Sequence, residues 1–259
     1  MFHGVGLPLL VAVFLVSGFV AGFFDSVVGG SGVITLPTLL WAGMEPHFAL
    51  GTNKFAGTAA SSISSFNYIR SGNLYWPLLI VMIPFTFIGA LIGADTVLAV
   101  NQHYLKLIIF IAIVLIALLT LWKKDMGKVN RFAGMRTRTS VLAAVIALAL
   151  GFYDGFIGPG TGSFLLFVFL TVFRFDFITA AGNGRVLNFT SNVAALGLFA
   201  IRGKVLYLLG LPMAAGMMVG AQIGSQYAVK RGATFIRPLF IGVAIVLSIR
   251  MGLDAFTRF

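Results

Sequence analysis

The chain has 259 residues, of which 59% are hydrophobic and 10% charged, with a formal net charge of +11 and a mean hydropathy of +1.02. Soluble domains carry about 25% charged residues, so an ordinary globular enzyme is excluded and an all-α polytopic membrane protein is expected. The absence of Cys also excludes disulfides, thiolate metal sites and cysteine nucleophiles.

In chain order, residues 1–24 contain no Lys or Arg. A cleaved signal peptide normally starts with a basic region, so 7–24 reads as a retained first helix. A glycine-rich break, Asp25 to Gly32, leads into a short segment over 33–43, then helices over 47–69, 75–98 and 104–122. Six of the 18 basic residues (Lys123, Lys124, Lys128, Arg131, Arg136 and Arg138) occupy a linker over 123–138. They read as a cytoplasmic topology signal rather than a nucleic-acid surface, and no nucleic-acid partner is expected. Beyond the linker come a helix over 139–153, a second break from Asp154 to Gly162, a short segment over 163–173, and helices over 177–201, 205–228 and 234–254. Each short segment rises roughly 16 Å, half a bilayer, so both are expected to be half-helices or re-entrant.

The two series repeat one another. Gly22-Phe23-Phe24-Asp25 matches Gly151-Phe152-Tyr153-Asp154, and Gly30-Ser31-Gly32 matches Gly160-Thr161-Gly162. Asn53 pairs with Asn183, Ser61 with Ser191, Ile69-Arg70 with Ile201-Arg202, and Gly89-Ala90 with Gly220-Ala221, at offsets between 129 and 132. The organisation expected is a first transmembrane repeat over 1–122, the linker over 123–138, and a second repeat over 139–259. With the linker inside, five passes per half place basic residues 11 to 4 in favour of the inside and invert the repeats. Four passes make the repeats parallel and the split 10 to 5. Charge does not separate the two; inversion is favoured by analogy with transporters built on broken helices.

The chemistry concentrates at the breaks. Unwound backbone at membrane depth must be buried in protein or line a wet cavity. The short helices would aim free N–H groups and positive dipole ends there, with Ser31 and Thr161 as caps. Two such ends meeting near the midplane make an anion site; alternatively the glycines simply permit tight turns. Four ionisable residues lie in apolar surroundings: Asp25, Lys54, Asp154 and Arg185. Lys54 and Arg185 either hold an anionic substrate, with Thr52, Asn53 and Asn183 donating hydrogen bonds, or form structural pairs Asp25–Lys54 and Asp154–Arg185. The candidate substrate site comprises Gly30, Ser31, Gly32, Thr52, Asn53, Lys54, Gly160, Thr161, Gly162, Asn183 and Arg185. Asp25 and Asp154 are candidates for the ion pairs or for carrying a coupling proton, with sodium as the other coupling ion.

Other features read as architecture. Gly89-x-x-x-Gly93 and Gly220-x-x-x-Gly224 mark close helix contacts, within the chain or across a homodimer. His3, His47 and His103 have no metal-ligand spacing and read as interfacial. Ser61, Ser62, Ser64 and Ser65 read as bonding within the bundle, and Trp41, Trp76 and Trp122 as an aromatic belt. No nucleophile–base constellation, metal or cofactor is expected. No Gly-x-x-x-x-Gly-Lys-[Ser/Thr] loop is present, so a gradient or the membrane potential must supply the energy.

The paired motifs Gly22-Phe23-Phe24-Asp25, Gly29-Gly30-Ser31-Gly32, Leu36-Pro37 and Gly51-Thr52-Asn53 recur as Gly151-Phe152-Tyr153-Asp154-Gly155, Gly158-Pro159-Gly160-Thr161-Gly162 and Gly182-Asn183. Together they resemble the TauE/SafE family of sulfite and organosulfonate exporters along nearly the whole chain. The resemblance implies a multi-pass inner-membrane permease that moves a small sulfur-containing anion, commonly outward. Pro159 and Gly184-Arg185 depart from the first half, which has Lys54-Phe55, so a shared site would be only pseudo-symmetric. The expected function is secondary transport of sulfite or a sulfonate such as sulfoacetate or taurine, with the halves moving about a midplane site. An anion channel, or a membrane enzyme or assembly factor, is the alternative.

Overall fold

The computed structural model describes residues 6–101, 105 and 129–232. Eight helices are present among them: α1 (Leu7–Val28), α2 (Gly32–Trp41), α3 (Pro46–Ser71), α4 (Trp76–Ala99), α5 (Thr137–Phe156), α6 (Thr161–Thr171), α7 (Phe177–Ile201) and α8 (Tyr207–Arg231). The eight elements expected within these residues are all there to within a few residues. The largest extension is in α1, which continues through Asp25 to Val28. The helices expected over 104–122 and 234–254 lie outside the described residues, as do His3, His103, Trp122, Lys106, Arg237 and the linker lysines.

Local chemistry sets the ends. Pro46 opens α3, where a missing N–H costs nothing, and Asp176 caps α7 by accepting from the Ile178 and Thr179 amides at 3.0 Å each. At Gly29, φ of +84° turns the chain out of α1, a conformation that L side chains rarely adopt.

Four helices, α1, α4, α5 and α8, are long and apolar enough to cross a membrane. Their outward residues, among them Leu9, Val16, Ile80, Val145 and Leu208, are exposed and form the surface a bilayer would cover. By contrast α3 and α7 are long but polar. They pack on each other and are enclosed by α8 and α4, so Thr52, Asn53, Lys54, Asn183, Arg185, Asn188 and other polar side chains along them are buried in protein.

The enclosing pairs cross between the halves: α1 packs on α8, and α4 on α5. Glycines on both members make this possible. A Cβ on Gly22 would fall inside the Met217 carbonyl, and one on Gly220 inside that of Phe19. In the other pair, Gly93 lies against the Phe152 carbonyl and Gly155 against that of Ala90. Of the two uses open to Gly89, Gly93, Gly220 and Gly224, contact within the chain is the one the structure shows. Lipid-facing helices gain little from hydrophobic burial against each other, so such close backbone contact supplies the dispersion attraction that holds them.

His47, at the start of α3, is buried in protein, with Nε2 3.0 Å from the Val97 carbonyl. Ser61, Ser62 and Ser64 donate back to carbonyls of their own helix. Trp41 and Trp76 are exposed near helix ends, as a belt requires.

Candidate functional site

The two breaks meet backbone to backbone. A Cβ on Gly29 would overlap Gly162, one on Gly30 would stand 3.6 Å from the Gly160 Cα, and one on Gly32 3.0 Å from the Pro159 Cα. Ser163 Oγ crosses between the halves and donates to the Val28 carbonyl at 3.1 Å. Backbone can approach this closely only where side chains are missing, which explains the glycine content of both segments.

Four charges converge on this junction, all nearly sealed from solvent: Lys54 at 1%, Asp154 at 1%, Arg185 at 2% and Asp25 at 4% exposure. They pair across the halves. Lys54 Nζ donates to Asp154 Oδ1 at 2.9 Å, and Arg185 Nη1 to Asp25 Oδ2 at 3.0 Å. The expected pairs Asp25–Lys54 and Asp154–Arg185 are therefore exchanged. The physical reason is the packing of α3 against α7, which carries each base across to the acid of the opposite break. An unpaired charge at this depth would cost several kcal/mol, so each acid needs its base.

The capping expectation also changes. Neither Ser31 nor Thr161 caps a short helix with its side chain. Asp25 Oδ1 instead accepts from the Gly30 and Ser31 amides, both at 3.1 Å. A carboxylate is a stronger acceptor than a hydroxyl and its charge suits a helix start. The Thr161 hydroxyl donates to the Gly158 carbonyl at 2.8 Å.

Beside the pairs lies a small polar void with room for a water-sized occupant. Of the expected site residues, Asp25, Gly30, Ser31, Gly32, Asn53, Lys54, Asp154 and Gly162 line it. Thr35 Oγ1 donates to Asn53 Oδ1, and Lys54 Nζ donates to Asn192 Oδ1 at 3.2 Å. Both amides thus use their oxygens internally and have NH2 groups to offer the void. Arg185 stands behind Gly162, where a Cβ would overlap its Nη2.

Thr52 and Asn183 are used elsewhere. Thr52 Oγ1 accepts from the Leu206 amide at 3.1 Å, and Asn183 Oδ1 from the Tyr75 amide at 3.0 Å. Each satisfies a free N–H at the start of a helix in the other half. Their roles match at an offset of 131, the offset that also relates Lys54 to Arg185. Asn183→Ala is expected to cost about 1–2 kcal/mol, as helix-cap losses do, in thermal unfolding of the purified protein. An unchanged melting temperature would show that the cap contributes nothing.

Gly57, Asn188 and Asn192 also line the void and are not singled out by the sequence; Gly158, expected only as part of the second break, lines it too. A signal existed: Arg185, Asn188 and Asn192 are spaced three and four apart, and Asn53, Gly57 and Ser61 four and four apart, each a stripe of polar or small residues along one helix face. Among the described residues, no group of three or more His, Cys, Asp and Glu is placed to hold a metal ion.

Buried, mutually neutralised charges at the meeting of two broken helices, inside a shell of apolar helices, define a multi-pass membrane protein of transporter type. The model of the sulfite exporter TauE/SafE family matches residues 14–251, and the chain belongs to that family. It is 40% identical over 245 residues to a probable membrane transporter protein, ORF9, of a Sinorhizobium species, covering 95% of this chain and 93% of that one. It is 35% identical over 248 residues to the probable membrane transporter protein YfcA of Escherichia coli, covering 96% and 91%. A probable membrane transporter protein of Haemophilus influenzae is 33% identical over 250 residues, covering 96% and 97%. No solved structure matches. The protein is a membrane transporter.

Proposed function

We propose that this transporter is a secondary exporter of a small sulfur-containing anion, sulfite or an organosulfonate, that works by alternating access around the junction of the two breaks. The observation that carries this reading is the Lys54–Asp154 pair, which borders a void also lined by Asn53, Asn192 and the start of α2. Ammonium, amide NH2 groups and a helix start all favour an oxyanion. The sulfur chemistry comes from the family. The void as it stands suits a water-sized occupant, so a multi-atom anion requires the halves to separate around it. In that movement Lys54 exchanges a carboxylate for substrate.

The test is uptake of labelled taurine, sulfoacetate and methanesulfonate into proteoliposomes. Wild-type flux should saturate with concentration and depend on the counter-ion gradient, whereas a channel would give a near-linear flux over the same range that follows the anion's electrochemical gradient alone. Lys54→Gln keeps much of the side-chain volume but loses a charge-assisted hydrogen bond worth about 1.5–3 kcal/mol, so flux at low substrate should fall about 10–150-fold. Unchanged flux in Lys54→Gln would move the binding site elsewhere. No movement of any of the three sulfonates would overturn the organosulfonate reading.

A further inference from the structure

The two buried pairs differ in how they are held. Asp25 is fixed by the main chain: Oδ1 takes the Gly30 and Ser31 amides, while Arg185 Nη1 reaches both Oδ2 and the Asp25 carbonyl. Releasing that carboxylate would undo the start of α2 and leave the guanidinium stranded. Asp154 is held by side chains alone. Lys54 donates to Oδ1, Ser191 Oγ donates to Oδ2, and Asn188 Nδ2 lies 3.5 Å from Oδ2. Lys54 uses two of its three N–H donors, on Asp154 and Asn192. Lys54 and Asp154 both line the void, while Arg185 does not.

No other charge competes at Asp154. On its own helix the Tyr153 hydroxyl is engaged by the Pro159 carbonyl at 2.7 Å. The one titratable residue of α4, Asp95, is exposed and pairs with Arg202, and α6 contains none. Across the void, Asp25 is neutralised by Arg185. The pocket therefore sums to zero with Lys54 and Asp154 both ionised. An anion added alone would leave one buried negative charge, which is costly. An anion added with a proton on Asp154 keeps the sum at zero.

We propose that Asp154 is the proton-coupling acid, so that a small monoanion binds Lys54 as one proton binds Asp154, while Asp25–Arg185 stays fixed as a strut. The proposal rests on the anion-transport reading above. A proton passes from water to an Asp154 carboxylate oxygen as Lys54 turns to the anion. On release the proton returns to water on the opposite side and the Lys54–Asp154 contact re-forms. The transported unit is neutral, so substrate and proton gradients set its direction, and export runs on anion accumulated inside.

The test uses the full chain in proteoliposomes holding a trapped pH dye, with inward gradients of the monoanions methanesulfonate, ethanesulfonate, isethionate, nitrate and chloride applied in turn. Sulfite is omitted because its acid form crosses bilayers as sulfur dioxide. Wild-type protein should acidify the lumen with a sulfur anion; Asp154→Asn should lose acidification while labelled-anion exchange continues. Acidification with nitrate or chloride alone, lost in Asp154→Asn, would support the coupling and overturn the sulfur substrate. Absence of acidification with every anion, or acidification undiminished in Asp154→Asn, would overturn the proposal. Where Asp154→Asn is inactive or does not accumulate, Ser191→Ala decides. Losing a donor to the carboxylate favours its protonated form, so the pH midpoint of flux should move upward; an unmoved midpoint overturns the proposal.

Discussion

Arg185→Met is expected to destabilise the protein by about 3–5 kcal/mol, the cost of stranding a buried charge when its partner is removed. The stranded group is Asp25, 4% exposed and buried between the halves. Two backbone amides would still hold Oδ1, but Oδ2 and the Asp25 carbonyl would lose their donor. Combining Arg185→Met with Asp25→Asn should recover part of the loss, because neither charge then remains. Arg202→Met is the control: its pair with Asp95 is mostly exposed, at 3.2 Å, and surface pairs contribute little. Thermal unfolding in detergent, with the amount recovered from membranes, measures all four proteins. Equal losses for Arg185→Met and Arg202→Met would show that the buried pair does not bind the halves together.

The second large effect comes from a single methyl group. Gly155→Ala places a Cβ inside the Ala90 carbonyl of α4. The obstacle is backbone, so no rotamer change can clear it and the helices must separate. Separation breaks register with Gly89, Gly93 and Gly151, each in similar contact with the facing helix. A loss of about 1–3 kcal/mol, as for overpacked cores, is the expected minimum. Gly197 offers the comparison: it lies within α7, and a Cβ there meets nothing within 4 Å. Gly197→Ala should leave stability unchanged or raise it, since alanine is the better helix former. The same melting temperature in both variants would mean that the α4–α5 seam tolerates separation.

Helix positions were legible because their signals are local. Apolar runs, proline at helix starts and glycine at breaks all act within a few residues, and α7 matches its expected bounds over 177–201. The identity of the four buried charges was legible too, because an ionisable residue in an apolar run has few other uses. The misreadings involve choices between equally suitable partners. Thr52 and Asn183 look like substrate donors in the sequence, yet in the fold they accept from the Leu206 and Tyr75 amides. Nothing near residue 52 or 183 announces that those helix starts will arrive there. Ser31 looked like a cap, but the Val33 and Ile34 amides go to backbone carbonyls, and Ser31's own amide is held by a carboxylate six residues upstream.

From the sequence alone came the membrane class, the two glycine-rich breaks, the family resemblance, and one acid and one base in each half. Tertiary structure alone decided which acid meets which base and which polar groups border the void. Lys54 and Asp154 are 100 residues apart, and Arg185 and Asp25 are 160 apart. Coulomb attraction accepts either pairing equally, so charge pattern holds no information on the choice. Glycine-sized contacts of α1 on α8 and α4 on α5, with α3 laid against α7, fix the geometry, and that geometry places Asp154, not Asp25, against Lys54 at the edge of the void.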